Sequence, residues 1–288
     1  VDEVTRRPTS RLTWPLTFPV DGFNVKEAIG VAEPWWLPPG ALAYADWLND
    51  RFWLNGQEVT MTQFLSETRA GTAYDLGNFA GDFTSYGTNV VRKNDRGLLI
   101  EPAHQSTITY SNNPANASGW NGPNSNVTIG STVGGFVQVL ETTANGLHRL
   151  SRTTGINAVT GQVHTFFVTL QKLGRRYITL RINGDGTNRN AGFDLDTLTV
   201  SANTDPYFTA SIEKIGKTYI LAVSFTPTTA FPALNIGTDI VTLASPTAVP
   251  AGFVGDVTKG FLLFNVDFVI GTRKFSPVIN NINTTTTL

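Results

Sequence analysis

None of the 288 residues is cysteine, which excludes a disulfide framework and any thiolate metal site. Charge is scarce as well. Asp, Glu, Lys and Arg make up 15% of the chain, against roughly 25% in an average globular protein. The net charge is -1 and no block of Lys or Arg occurs. Nucleic-acid binding depends on clustered cations that displace counterions, so no nucleic-acid partner is expected. No apolar run approaches the ~18 residues of a membrane-crossing helix, so no membrane partner is expected either. The polar, charged first residues lack the apolar centre of a secretory signal. The three histidines are His104, His148 and His164. None stands four residues from another, and no His-Glu-x-x-His occurs, so no zinc site is expected. Gly-x-Ser-x-Gly, the turn that presents a nucleophilic serine, is missing too.

What the chain does have is strand signal. Hydrophobic residues reach 41%, enough for a sizeable core in one large β domain or two small ones. Ile178, Leu180 and Ile182 alternate with Tyr177, Thr179 and Arg181, the period of a strand with two unlike faces. Tyr219–Phe225 alternates in the same way, and Phe136–Glu141, Val163–Leu170 and Phe261–Val269 are dense in β-branched and aromatic residues. Asn55-Gly56, between Arg51–Leu54 and Gln57–Val59, is a strong short-range hairpin signal, because both turn positions require positive φ. Many short strands punctuated by turn residues indicate a sandwich, and no repeat of solenoid period is present. Residues 1–40 differ from the rest. Six prolines break regular structure there, yet Trp14, Phe18, Phe23, Trp35 and Trp36 are too apolar for a disordered tail. This segment reads as an extended arm that either folds back on its own domain or docks on a neighbouring subunit, with Trp14, Trp35 and Trp36 as candidate interface residues. Residues 41–280 read as the sandwich, and 281–288 as a frayed tail or connector.

The stretch Gly97-Leu98-Leu99-Ile100-Glu101-Pro102, followed by Thr109-Tyr110-Ser111, a polar loop and Trp120, resembles a motif of bacteriophage virion proteins. These are tail, fibre and head-spike proteins carrying a jelly-roll domain of the concanavalin-like or carbohydrate-binding-module type. Ala103 matches the family's pattern, whereas His104 and Gln105 replace its usual Arg and Thr. Asn145-Gly146-Leu147-His148-Arg149 and Ala210-Ser211-Ile212-Glu213 are similar to further segments of that family. The resemblance covers residues 42–277. It implies an all-β, antiparallel jelly-roll β-sandwich with the extended N-terminal arm. It also implies a virion location, a non-catalytic role, other virion proteins and host-surface polysaccharide as partners, and a homotrimeric assembly. No cofactor is implied, although modules of this type often carry a structural calcium ion.

Sugar recognition uses aromatic faces for stacking and planar donors for hydroxyls, and Arg offers a rigid fork of donors. Trp120, His148, Arg152, Tyr177 and Arg181 form the candidate ligand set. Alternation puts Tyr177 with Arg181 and His148 with Arg152, and pairing within one sheet would join the two pairs in a shared polar surface. The alternative is that Trp120 plugs the core beneath its loop and the others are ordinary surface. An enzymatic reading would need two carboxylates roughly 5–10 Å apart, as in glycoside hydrolases. Glu141, Glu213, Asp194, Asp196 and Asp267 lie on or beside strands, but no motif pairs them. Asn183, Asp185 and Thr187, with Asp194 at the twelfth position, outline a calcium loop. Its sixth position is Asn188 rather than Gly and it lacks the bidentate Glu, so a plain turn is favoured.

Overall fold

The computed structural model describes residues 41–47, 49–65, 73–76, 80–87, 90–94, 97–98, 105–106, 108, 110–116, 120, 125–154, 159–183, 189–202, 208–227, 236–243, 250–272 and 286–287. The aromatic arm with Trp14, Trp35 and Trp36, and most of the motif around Glu101, lie outside them. Residues 41–46 and 50–64 form one compact unit, and the other described residues form a second. The two main sheets are built from residues after Phe64, within the span 41–280 that the sequence assigns to the sandwich.

In the first unit, β1 (Ala43–Asp46), β2 (Arg51–Leu54) and β3 (Gln57–Val59) make a three-stranded antiparallel sheet. Asn55 and Gly56 have φ of 50° and 83°, the left-handed pair that a two-residue hairpin loop demands. Helix α1 (Met61–Phe64) opens on a capping box. The Thr60 amide donates to Gln63 Oε1 at 2.9 Å, and the Gln63 amide donates back to Thr60 Oγ1 at 3.4 Å, so the two satisfy each other's orphan donors. The helix brings Phe64 within 5.6 Å of the buried Phe52 ring.

The second unit begins with short pairs: β4 (Ala73–Leu76) with β5 (Phe83–Tyr86), and β6 (Lys93–Asn94) with β7 (Gly97–Leu98). Strand β8 (Gln105–Ser106) pairs with β22 (Thr286–Thr287), so the chain's end joins a ladder where the sequence suggests a tail. Then come β9 (Val127–Val133), β10 (Phe136–Glu141), β11 (Asn145–Gly146), β12 (His148–Thr154), β13 (His164–Leu173), β14 (Tyr177–Asn183), β15 (Arg189–Asp194) and β16 (Thr199–Ala202). Strands β17 (Phe208–Ile215), β18 (Thr218–Phe225), β19 (Ile236–Leu243), β20 (Phe253–Val254) and β21 (Gly260–Ile270) complete the set. Two antiparallel sheets dominate, ordered β17-β18-β13-β21-β10-β9 and β12-β19-β14-β15-β16, and β11 pairs with β20 beside them. Their facing sides share one core. Phe166, Val168, Leu170, Leu221, Val223, Leu263 and Val266 of the first sheet pack with Leu150, Ile178, Leu180, Ile182, Phe193 and Ile240 of the second. The protein is an all-β antiparallel sandwich, as its alternating strands require.

The central strand β13 is buried from His164 to Gln171 without a break. Its inward residues enter the core, while outward Phe167 joins Leu76, Ile220, Ala222 and Val269 in a second apolar cluster that includes Phe83. The β4–β5 hairpin thus covers the outer face of the six-stranded sheet, and Phe83 stacks on Phe264 at 3.5 Å between centroids. The hairpin end docks backbone to backbone. Lys217 N donates to Ala80 O at 3.0 Å, and Thr218 Oγ1 donates to Gly81 O at 2.6 Å while accepting from Gln171 Nε2 at 3.0 Å. Gly216 has φ of +55°, and a Cβ there would collide with the Ala80 carbonyl. Replacing Gly216 with Ala is expected to cost about 2 kcal/mol or more, from left-handed strain plus that collision. A lowered urea midpoint with an unchanged slope is the measurement that checks it.

At one end of β13, His164 lies fully buried in a three-ring cluster, 5.6 Å between centroids from both Phe225 and Phe268, which are 6.3 Å from each other. Val159 N donates to its Nε2 at 3.2 Å, so the ring proton of the neutral form sits on Nδ1. Burial pushes the His164 ring below its ordinary pKa, because a charge buried against two phenylalanines is poorly solvated. The unfolded chain therefore takes up this proton first as pH falls. The stabilisation from the neutral ring is complete above about pH 6.5 and is lost progressively below it. Urea midpoints followed downward from about pH 8 should fall through this region, and His164→Gln should flatten that part of the profile.

Candidate functional site

The expected ligand set does not assemble on one surface. Trp120 is 4% exposed and sits in the shared core. Its indole N–H donates to Tyr110 O at 2.8 Å, so it plugs the interior and presents no stacking face. His148 is 0% exposed. Its Nδ1 lies 2.8 Å from Asn126 O and its Nε2 3.1 Å from Phe253 O. Both nitrogens face the protein's own backbone, which leaves none for a ligand.

The reason lies in register. Strands β12 and β14 do share a sheet, with β19 between them. His148 pairs with Thr242, which pairs with Ile178. Directly opposed residues in antiparallel strands point to the same side, so His148 shares the inward side of Ile178, opposite Tyr177 and Arg181. Arg149, one position on, is the residue of β12 that joins Tyr177 and Arg181. Arg152 pairs with Thr238, and its side chain lies outside the described residues. Only Tyr177 and Arg181 of the expected set come together as anticipated.

The outward face of the five-stranded sheet therefore carries Arg149, Val241 and Thr179 in one row. Leu243, Tyr177 and Asp194 form a second row, and Arg181 with Asn190 a third. Thr179, Val241, Leu243 and Asn190 are buried, whereas Arg149, Tyr177 and Arg181 are partly exposed. Arg176 lies 5.1 Å above the Tyr177 ring, and its fork holds Asp194 through Nε–Oδ1 at 2.8 Å and Nη2–Oδ2 at 2.7 Å. The Arg176 guanidinium, helped by the Thr197 hydroxyl and two backbone amides, holds the Asp194 carboxyl well below the usual carboxylate range. Asp194 also stands five residue steps along the β14–β15 ladder from the Ile182–Arg189 pair, about 17 Å from the ladder's end at the turn that would supply the other calcium oxygens. Asp185, Thr187 and Asn188 of that turn lie outside the described residues. Among the described residues no group of three or more acids or histidines is placed to hold a metal.

A second polar assembly was only half visible in the sequence. Glu141, at the end of β10, is fully buried between the sheets and takes a bidentate bond from Arg175, with Nε–Oε1 and Nη2–Oε2 both 2.6 Å. Thr242 Oγ1 donates to Oε1 at 2.6 Å from the opposite sheet, and Asp256 N donates to Oε2 at 3.0 Å. Burial pushes this carboxyl up, but the hydrogen bonds and the Arg175 charge outweigh it and hold Glu141 below its ordinary value. The Arg175 guanidinium in turn covers Phe253 at 4.7 Å, and Phe253 packs on His148 at 4.6 Å. The readable signal was Gly174-Arg175-Arg176-Tyr177, since two adjacent cations at a turn call for two acids, and Glu141 and Asp194 are those acids.

Asp196 does not stand apart from Asp194: it is bonded to Lys172 at 2.5 Å and also faces Arg176 Nε at 3.6 Å, so the two acids share one guanidinium. Asp267 and Glu213 both lie on the outward face of the six-stranded sheet, but β17 and β21 are separated by β18 and β13. Three strand spacings put the two acids about 14 Å apart, beyond the range of a glycosidase pair. Fold and site together define a two-sheet β-sandwich protein in which Glu141 and Asp194 are held as internal ties. No protein-family model matches the chain, and no curated protein matches it.

Arg175→Leu is expected to destabilise the fold by roughly 3–5 kcal/mol, because it strands a buried carboxylate. Glu141→Leu combined with Arg175→Leu should recover most of that loss, as apolar replacements of whole buried pairs commonly do. Chemical denaturation of the two single variants and the double variant closes the cycle.

Proposed function

We propose that this chain is a non-catalytic component of a phage virion. It acts as a fibre, spike or decoration protein that engages host-surface polysaccharide or a neighbouring virion subunit. The observation that carries the non-catalytic reading is the state of its carboxylates: Glu141 and Asp194 are each gripped by an arginine fork, and Asp267 and Glu213 stand three strands apart. The motif around Glu101 supports the virion class through resemblance. A sandwich of this kind hosts many activities, so ligand recognition rests on particular side chains. Tyr177, Arg181 and Arg149 are partly exposed on one face, with Arg176 over the Tyr177 ring and Arg149 Nη2 donating to Ser125 Oγ at 3.4 Å. The aromatic arm with Trp14, Trp35 and Trp36 serves as anchor. The low surface charge implied by a 15% charged composition fits a homotrimer with covered surfaces.

Retention on an array of bacterial surface glycans tests the binding role, with Tyr177→Ala and Arg181→Ala as controls. Wild-type retention should fall at least several-fold in both variants while the unfolding midpoint stays near its original value. Retention of no glycan at high protein concentration would favour a purely architectural capsid or tail role. Release of reducing ends from capsular polysaccharide would instead make the protein a depolymerase.

A further inference from the structure

We propose that Asn55–Gly56 is a site of spontaneous backbone modification, in which the asparagine deamidates through a succinimide while the remainder of the protein stays folded. Both residues are exposed at the tip of the β2–β3 hairpin. Nothing lies within 4 Å of where a Gly56 Cβ would stand. The Gly56 N–H, which is the nucleophile once deprotonated, has no hydrogen-bond partner among the described residues. In the reaction the Gly56 nitrogen attacks Asn55 Cγ. The new N–Cγ bond forms, the Cγ–Nδ2 bond breaks, and ammonia leaves with the proton. Water then opens the ring at either carbonyl, giving an aspartyl or an isoaspartyl linkage.

The attack needs the Asn55 backbone to rotate out of its left-handed turn, so the rate follows how often the hairpin opens. Three residue pairs hold β2 to β3, one further bond runs from Asn55 N to Leu42 O at 2.8 Å, and Gln57 and Glu58 of β3 are exposed. Short elements with few buried contacts open locally at low cost. Asn145–Gly146 has the same sequence but is clamped. Asn145 pairs with Val254 and Gly146 with Phe253. Gly255 N donates to Ala144 O at 3.3 Å, and a Cβ on Gly146 would stand 2.6 Å from Asn126 Nδ2. The two sites therefore share intrinsic chemistry and differ in backbone freedom. An isoaspartyl product routes the main chain through a side-chain carbon and lengthens the two-residue loop. The Leu54–Gln57 pairing that closes the hairpin cannot then form as it does now.

The test is peptide mapping of the full chain after incubation in mildly alkaline buffer, with enzymatic carboxyl methylation as the probe for isoaspartate. In the folded protein, the peptide holding Asn55 should gain a single mass unit several-fold faster than the peptide holding Asn145. In concentrated urea the two rates should converge, which shows that folding makes the difference. An Asn145 peptide that keeps pace with Asn55 in the folded protein would overturn the proposal. So would an Asn55 peptide that stays unmodified until the chain is denatured.

Discussion

One buried ion pair ties the two sheets at one end of the sandwich. Glu141 belongs to the six-stranded sheet, yet it takes hydrogen bonds from Thr242 of the five-stranded sheet, from Arg175 in the crossover between them, and from the backbone of Asp256. A carboxylate in an apolar interior is tolerated only when its oxygens are paired, and here four donors meet them. The pair's net worth against an apolar replacement is small, and its larger effect is on geometry, because few arrangements of the loops satisfy all four bonds. Phe253, under Arg175 and against His148, carries that order to the β11–β20 pair.

The opposite end is set by apolar contact rather than charge. His164 packs against two phenylalanines, where burial lowers its pKa, and the two ends answer to different parts of the pH scale. Acid removes the stabilisation from His164 first, through the region just below neutrality, and that from Glu141 only below the ordinary glutamate range. The outer face of the six-stranded sheet is closed by the β4–β5 hairpin, whose end meets the 215–218 turn without intervening side chains at Gly81 and Gly216.

The polar residues divide by what they can still do. Glu141, Asp194 and His148 are fully engaged within the molecule, so their chemistry is structural. Arg149, Tyr177 and Arg181 keep partial exposure on one face, over a floor of Thr179 and Val241 that is buried. The proposed recognition role is assigned to them because a side chain can meet a partner only where some of its surface reaches solvent. Among the described ion pairs, Glu141–Arg175 is the one that lies inside, while the arginine of the Arg176–Asp194 pair is 41% exposed.

The sequence by itself determined that the chain is an all-β sandwich, since alternation at Ile178, Leu180 and Ile182 admits one inward face. It also determined the hairpin at Asn55-Gly56, since two adjacent left-handed residues have few other uses. Both are properties of neighbours along the chain. The site was not legible in that way. Whether His148 faces the ligand side or the core depends on its pairing with Thr242, and a shift of one residue would have reversed the answer. Whether Trp120 is a platform or a plug depends on Tyr110 and on a core assembled from both sheets. The sequence showed acids near strands and two arginines at a turn. Only tertiary structure decided that Glu141 belongs to Arg175 and Asp194 to Arg176, because those partners meet across residues far apart in the chain.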